Sequence, residues 1–373
     1  ANSWYMGANV PGKPRTFLPF IGGVDGYRRA CDDLKAGDWH GLNFRGAGGE
    51  RQDDRVVRPL RPDVTGMVEA MAEAGLPPLH ELPPEALRAT MEAIGEQSPK
   101  GPEVGEVVDG TFPGGDGNPL RYRLYRPDTP GPHPLVVYFH GGGWVIGSEV
   151  SDDAFCRDLC LRSGSIIVSC DYRHAPEARF PAAYDDASAA LGWAAEAAEA
   201  LGAAPGKLAV AGWSAGANQA AVAAIHARDH GGPALSGQLL VTPVVDCAGK
   251  SASYEANAAG PVLTRELMDY FLDHYVDEAD RADPRCSPLR AKSLAGLPPA
   301  MIVVSEFDPL RDEGIAYAEA LKAAGTPATL VVGRGHIHTS YSAVDVILSG
   351  AELRAQMAEA LDGFFEARRH AAE

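Results

Sequence analysis

From residue 134 onward the sequence alternates short, uniformly apolar runs with longer stretches of helical composition, and no other feature restricts the fold so strongly. The apolar runs fall at 134–139, 165–169, 208–211, 238–243, 300–305 and 329–332, and the helical stretches at 152–163, 184–200, 215–229, 312–324 and 349–368. A strand that is apolar on every residue must be covered on both faces, and strands joined through helices run parallel. The expected class is therefore α/β: a mostly parallel central sheet with helices on both faces. Upstream, 104–112 and 120–125 alternate as strands joined by the turn Gly114-Gly115-Asp116-Gly117-Asn118. Further upstream, Pro62-Asp63-Val64-Thr65 opens a helical stretch over 66–74 that ends at Gly75, and a second runs over 84–95 with proline at its start. In a sheet of this kind functional loops sit at the carboxyl ends of the strands.

Charge and cysteine usage remove several function classes. The chain has 373 residues and a formal net charge of −17. Such a surface repels phosphate backbones and anionic lipid, so neither nucleic acid nor a membrane is expected as a partner. No apolar run reaches the roughly 18 residues of a membrane span, and no basic region followed by an apolar one opens the chain. The expectation is a cytoplasmic protein. The six cysteines, Cys31, Cys156, Cys160, Cys170, Cys247 and Cys286, are scattered, with no CxxC pair and no zinc-like spacing with histidine. They read as reduced, mostly core residues. Cys156 and Cys160, four apart, suit one packing face of a helix. No metal and no organic cofactor are expected.

Two strand ends carry chemistry. Leu208-Ala209-Val210-Ala211 runs into Gly212-Trp213-Ser214-Ala215-Gly216 and then a helix. A serine at a strand-to-helix elbow occupies a strained backbone conformation that only small neighbours permit, which explains glycine on either side. The helix that follows aims its first amides at any negative charge formed there, so the Ala215 N–H is a candidate oxyanion donor. The bland alternative is a tight turn in which Ser214 only caps the helix. The second strand end is Leu135–Phe139 followed by His140-Gly141-Gly142-Gly143-Trp144. Consecutive glycines leave backbone amides open to a substrate oxygen, and Gly142 and Gly143 are the candidate donors. His140 reads as orienting this loop rather than transferring a proton. A phosphate loop is disfavoured because no Gly-Lys-Ser/Thr follows.

A serine nucleophile needs a base, and the base an orienting carboxylate, both following the serine in chain order for an elbow of this type. The apolar strand 301–304 enters a loop carrying Asp308, with Pro309 fixing the turn; Glu306 is the rival carboxylate. Asp312 and Glu313 open the next helix and can simply favour its dipole. Among the histidines, His226 and His230 lie on the helix leaving Ser214, and His274 lies in a separate helix over 266–276. His336 and His338 follow the last apolar strand in a glycine-rich loop, where a base belongs.

Together these stretches, with Asp171-Tyr172-Arg173-His174-Ala175-Pro176-Glu177, Phe180-Pro181-Ala182-Ala183, Asn218 and Asp308-Pro309-Leu310-Arg311-Asp312-Glu313, resemble the bacterial hormone-sensitive-lipase family of esterases. The resemblance spans roughly 62–370. It implies the α/β-hydrolase fold and a triad of Ser214, Asp308 and His338, the last chosen over His336 because the family places its histidine three residues after a glycine, here Gly335. It also implies an oxyanion hole from Gly142, Gly143 and Ala215. A helical cap is expected from elements near 62–100 and 247–290 of a domain covering 62–373. Trp144, Trp213, Leu263, Met268 and Phe271, with Tyr275, are candidates to line the substrate site; packing of the cap onto the core is the alternative for the cap residues.

The chain departs from the family at Trp213, where relatives carry Asp or Thr, at Thr339-Ser340, where Gly-Phe is common, and in the extension 1–61. The apolar residues Trp4, Tyr5, Met6, Phe17, Phe20 and Ile21 suggest that the extension docks on the body near the cap or pocket mouth. The implied activity is hydrolysis of short- to medium-chain carboxylic esters, with a small-molecule ester as partner and a homodimer by analogy with relatives. An amidase or lactonase could use the same groups. A non-catalytic ligand-binding relative is disfavoured by the intact triad.

Overall fold

The computed structural model describes residues 59–372, together with two short strands nearer the N-terminus, β1 (Tyr5–Met6) and β2 (Leu18–Pro19), which pair antiparallel. The expected docking of the extension falls outside the described residues.

The main sheet begins with a hairpin. β3 (Glu106–Pro113) pairs antiparallel with β4 (Pro119–Arg126), and β4 pairs antiparallel with β6 (Ile166–Cys170). β5 (His133–Phe139), β6, β7 (Ala203–Trp213), β8 (Gly237–Val241), β9 (Ala300–Phe307) and β10 (Ala328–Ile337) are mutually parallel, and the order across the sheet is β10-β9-β8-β7-β5-β6-β4-β3. This is the mostly parallel sheet expected from the apolar runs. Alternate residues serve opposite faces. Val137 and Phe139 of β5 enter one core, while Val136 and Tyr138 enter the other.

The second of these cores is closed by α3 (Asp153–Ser163), which buries Cys156 and Cys160 together, and by α9 (Ala351–Ala372). The first is covered by α4 (Ala182–Glu196), α5 (Ala215–His230) and α8 (Arg311–Ala323). Most of the buried residues of α5 are alanines, among them Ala217, Ala220, Ala221, Ala223 and Ala224, so the helix lies close to the sheet beside β7. The five described cysteines are free and buried.

Two strands exceed their apolar runs. β10 continues past 332 through Gly333, Arg334 and Gly335, where the register shifts before Ile337 pairs with Phe307. The polar residues and glycines break the apolar pattern without ending the backbone pairing. His336 therefore lies on the strand, and only His338 reaches the loop beyond it. β7 likewise begins at Ala203, five residues before its apolar run.

The segments flanking the sheet's carboxyl edge join one another. α1 (Pro62–Ala74) packs Val64 against Ile337 and Ile347. Just before it, the Arg61 N–H donates to the Gly335 carbonyl and its Nε to the Arg334 carbonyl, at 3.0 and 3.1 Å. α2 (Pro84–Gln97) buries Leu87 and sends Arg88 inward to the carbonyls of Val145 and Ala175, each at 2.7 Å, while the same guanidinium grips Glu177 with two bonds. That grip lowers the Glu177 carboxyl to about 2. The later insertion contributes α6 (Ala252–Ala256) and α7 (Arg265–Tyr275), the latter capped by Thr264, whose hydroxyl accepts from the Leu267 N–H. Tyr270 of α7 donates to the Leu82 carbonyl, which ties the two segments.

Candidate active site

Ser214 stands between β7 and α5 with φ 57° and ψ −120°, a conformation rare for a residue with a side chain. Its N–H donates to the Val241 carbonyl at 2.9 Å, so the neighbouring strand β8 holds the elbow in place. The glycines on either side are required by close approach. A Cβ on Gly212 would collide with the Gly216 carbonyl, and one on Gly216 with the carbonyls of Phe139 and His140. All of these are backbone atoms that cannot swing aside. Asn218, one turn into α5, donates to the carbonyls of Val244 and Cys286, fastening the helix to the loop after β8 and to the insertion.

Three strand ends meet at this serine. His338 Nε2 lies 2.9 Å from Ser214 Oγ, and His338 Nδ1 lies 2.8 Å from Asp308 Oδ2. Asp308 is fully buried; its second oxygen accepts the Leu310 N–H at 2.9 Å, so both carboxylate oxygens are used. Ser214 is 5% exposed and His338 4%, which shields the chain of bonds from bulk water. The rival groups sit elsewhere. Glu306 accepts the Gly335 N–H at 2.8 Å and so braces the turn before the histidine instead of facing its ring. The His336 ring packs near Tyr341, and burial lowers its pKa to about 4. His226 and His230 stack on each other along α5, and His274 bonds back to the Tyr270 carbonyl within α7.

The glycine loop lies beside the elbow because β5 neighbours β7. Gly142 and Gly143 take φ values of 119° and 58°. Among the described residues neither of their amides has a backbone acceptor. Ala215, the first residue of α5, has no acceptor within its helix either. The loop is held from beneath. Buried Asp152 accepts from Tyr138 Oη at 2.7 Å and from the Gly141 N–H at 3.4 Å, while Tyr172 Oη donates to the His140 carbonyl at 2.9 Å. Burial raises the Asp152 carboxyl above the usual range. These supports went unassigned in the sequence, although a polar residue at the end of an apolar strand or just after a glycine loop is a usable signal.

The expected substrate-lining residues divide into two groups. Phe271 lies directly over Gly143, where a Cβ would meet its ring, and Met268 and Leu263 are buried in the same core. Trp144 is fully buried and stacked on Tyr275 at 4.1 Å, so it joins the glycine loop to α7. Trp213 turns to the opposite core. Its ring fills the space beside Gly141 and lies 5.3 Å from that of His338, and its indole N–H donates to the His338 carbonyl at 3.1 Å. Trp213→Phe keeps an aromatic ring but removes the N–H donor together with part of the indole's volume. It should lower kcat several-fold, in line with one hydrogen bond of about 1 kcal/mol, with KM nearly unchanged. An unaltered kcat in steady-state assays would show that the bond does not position the imidazole.

Comparison with known proteins identifies the family. A family model described as alpha/beta hydrolase fold matches residues 136–342. The carboxylic ester hydrolase LipN of Mycobacterium tuberculosis is 46% identical over 253 residues, covering 66% of this chain and 67% of the relative. The ethyl acetate hydrolase of Pseudomonas putida is 35% identical over 314 residues, covering 81% and 98%. Among solved structures, the hyperthermophilic esterase of the archaeon Pyrobaculum calidifontis superposes with a TM-score of 0.77 at 38% identity, covering 82% of this chain and 99% of that one. The matched stretch contains the elbow, the glycine loop and both partners of the serine, and on that ground the chain belongs to the hormone-sensitive-lipase family of the α/β-hydrolase fold.

Proposed function

We propose that the chain is a serine carboxylesterase in which Ser214, His338 and Asp308 form the triad and the amides of Gly142, Gly143 and Ala215 bind the oxyanion. The observation that carries this reading is the unbroken chain from Ser214 Oγ through His338 to Asp308, at 2.9 and 2.8 Å. His338 Nε2 takes the hydroxyl proton as Oγ attacks the ester carbonyl, and Asp308 steadies the resulting imidazolium. The tetrahedral oxyanion forms next to the open amides. Its collapse expels the alcohol, which receives the proton from His338. Water, deprotonated by the same imidazole, then attacks the acyl-enzyme and releases the acid.

Phe271 over Gly143, with Met268 and Leu263 behind it, supports short to medium acyl chains. With p-nitrophenyl acetate, butyrate, octanoate and palmitate, kcat/KM should be highest for the short esters, and matched anilides should react far more slowly. Phe271→Ala should move the optimum toward octanoate. A wild-type preference for palmitate, or for the anilides, would overturn the substrate class. A cytoplasmic location and a homodimer, by analogy with relatives, belong to the same proposal. Separately, no helix among the described residues is long and apolar enough to cross a membrane.

A further inference from the structure

At the root of the glycine loop two imidazoles converge on one carboxylate. His140 follows β5, Asp171 follows the adjacent strand β6, and His174 comes three residues later. His140 Nε2 lies 3.3 Å and His174 Nε2 3.5 Å from Asp171 Oδ1, and one donor atom of each residue lies within 4.8 Å of the other two.

The hydrogen bonds around this cluster leave a place for a cation. His140 Nδ1 is 2.7 Å from the Gly141 carbonyl oxygen. A carbonyl only accepts, so Nδ1 carries a proton and Nε2 is the ring nitrogen that faces Asp171 Oδ1. The space between Nε2 and Oδ1 is taken either by a proton on Nε2, which Asp171 favours, or by a metal ion in its place. Among the described residues the Nε2 atom of His174 is buried without a hydrogen-bond partner.

Two imidazoles and one carboxylate oxygen are a donor set suited to zinc and its neighbours. Ligands about 2.0–2.1 Å from a tetrahedral ion stand about 3.3 Å apart, close to both separations measured from Asp171. The surroundings are those of a ligated histidine. The far nitrogen of His140 bonds a backbone carbonyl, Asp171 Oδ1 also accepts the Tyr172 N–H at 2.9 Å, and Arg121 lies 3.3 Å from Oδ2. Tyr172 stacks on the His140 ring at 4.4 Å and fixes its plane. The side chains of Asp171 and His174 keep 12% and 18% exposure, enough for an ion to enter.

We propose that His140, Asp171 and His174 form a zinc-class metal site, separate from the triad, with water completing the coordination. The sequence hid it because two of the ligands lie 31 residues apart and no cysteine takes part. The site stands independently of the esterase reading.

The test is calorimetric titration of the chelator-treated full-length protein with zinc chloride at neutral pH, followed by thermal melting. The wild type should bind a single equivalent and melt at a higher temperature when loaded. Cobalt(II) in the same site should give the visible absorption of a four-coordinate ion. His174→Ala should weaken binding at least about tenfold, whereas His226→Ala/His230→Ala, which removes the stacked surface pair, should leave it unchanged. No uptake by the wild type overturns the proposal even if His174→Ala does not fold, and a proton alone then occupies the gap at His140. Uptake that survives in folded His174→Ala, or that disappears with His226 and His230, overturns it as well.

Discussion

Ser214→Ala is expected to reduce kcat for p-nitrophenyl butyrate by a factor on the order of 10⁵ to 10⁶. The substitution deletes the one oxygen that His338 Nε2 can deprotonate, while the open amides beside it stay in place. Those amides and binding alone leave a residual rate of about 10³- to 10⁴-fold over water, so the variant should retain a small turnover. Its melting temperature should move little. Alanine experiences the same φ of 57° as serine, and among the described residues the side chain makes no bond other than that to His338. Steady-state rates and a thermal melt on the two proteins settle the matter. Activity that survives would mean that the nucleophile lies elsewhere.

Asp308→Asn is the second large effect, and its direction follows from proton placement. Asp308 Oδ2 accepts from His338 Nδ1 at 2.8 Å, which keeps the lone pair on Nε2 aimed at Ser214. An amide whose oxygen is held by the Leu310 N–H would present its NH₂ to Nδ1, as Oδ1 already accepts that bond at 2.9 Å. The ring proton would then move to Nε2, where it blocks deprotonation of the serine. A loss of about 10⁴ in kcat is expected near pH 7, with KM little changed. Glu306→Gln provides the contrast. Its carbonyl can still accept the Gly335 N–H, so kcat should stay within several-fold of wild type. A reversed order of the two variants would make Glu306 the orienting carboxylate.

Features that depend on local pattern were readable in the sequence. The apolar runs located the parallel strands, and the glycines around Ser214 announced an elbow whose backbone atoms leave no room for a Cβ. Asp308 could be chosen from its position at a strand end. His338 and His336 could not be separated by composition, since both follow an apolar run. What separates them is that β10 keeps pairing through Arg334 and Gly335 after its apolar residues stop. The direction of Trp213 was likewise hidden. A large aromatic beside a nucleophile reads as a pocket wall, and only the packing of β7 turns it to the face where it bonds the His338 carbonyl. Asp152, Asp171 and Tyr172 support the glycine loop through contacts between residues far apart in the chain, which no spacing rule reports.

The two bonds from Arg61 to Gly335 and Arg334 make the entry to α1 and the approach to His338 a single joint. A lid hinged on a neutral part of the scaffold could open for a bulky ester at no penalty to chemistry. Here the entry to α1 is bonded to the strand that leads to His338, so a displacement of α1 is expected to pull on the imidazole as well. An ester bulky enough to displace α1 would also misalign His338, the proposed proton acceptor. Selectivity against large esters should therefore be felt in the turnover step as well as in binding.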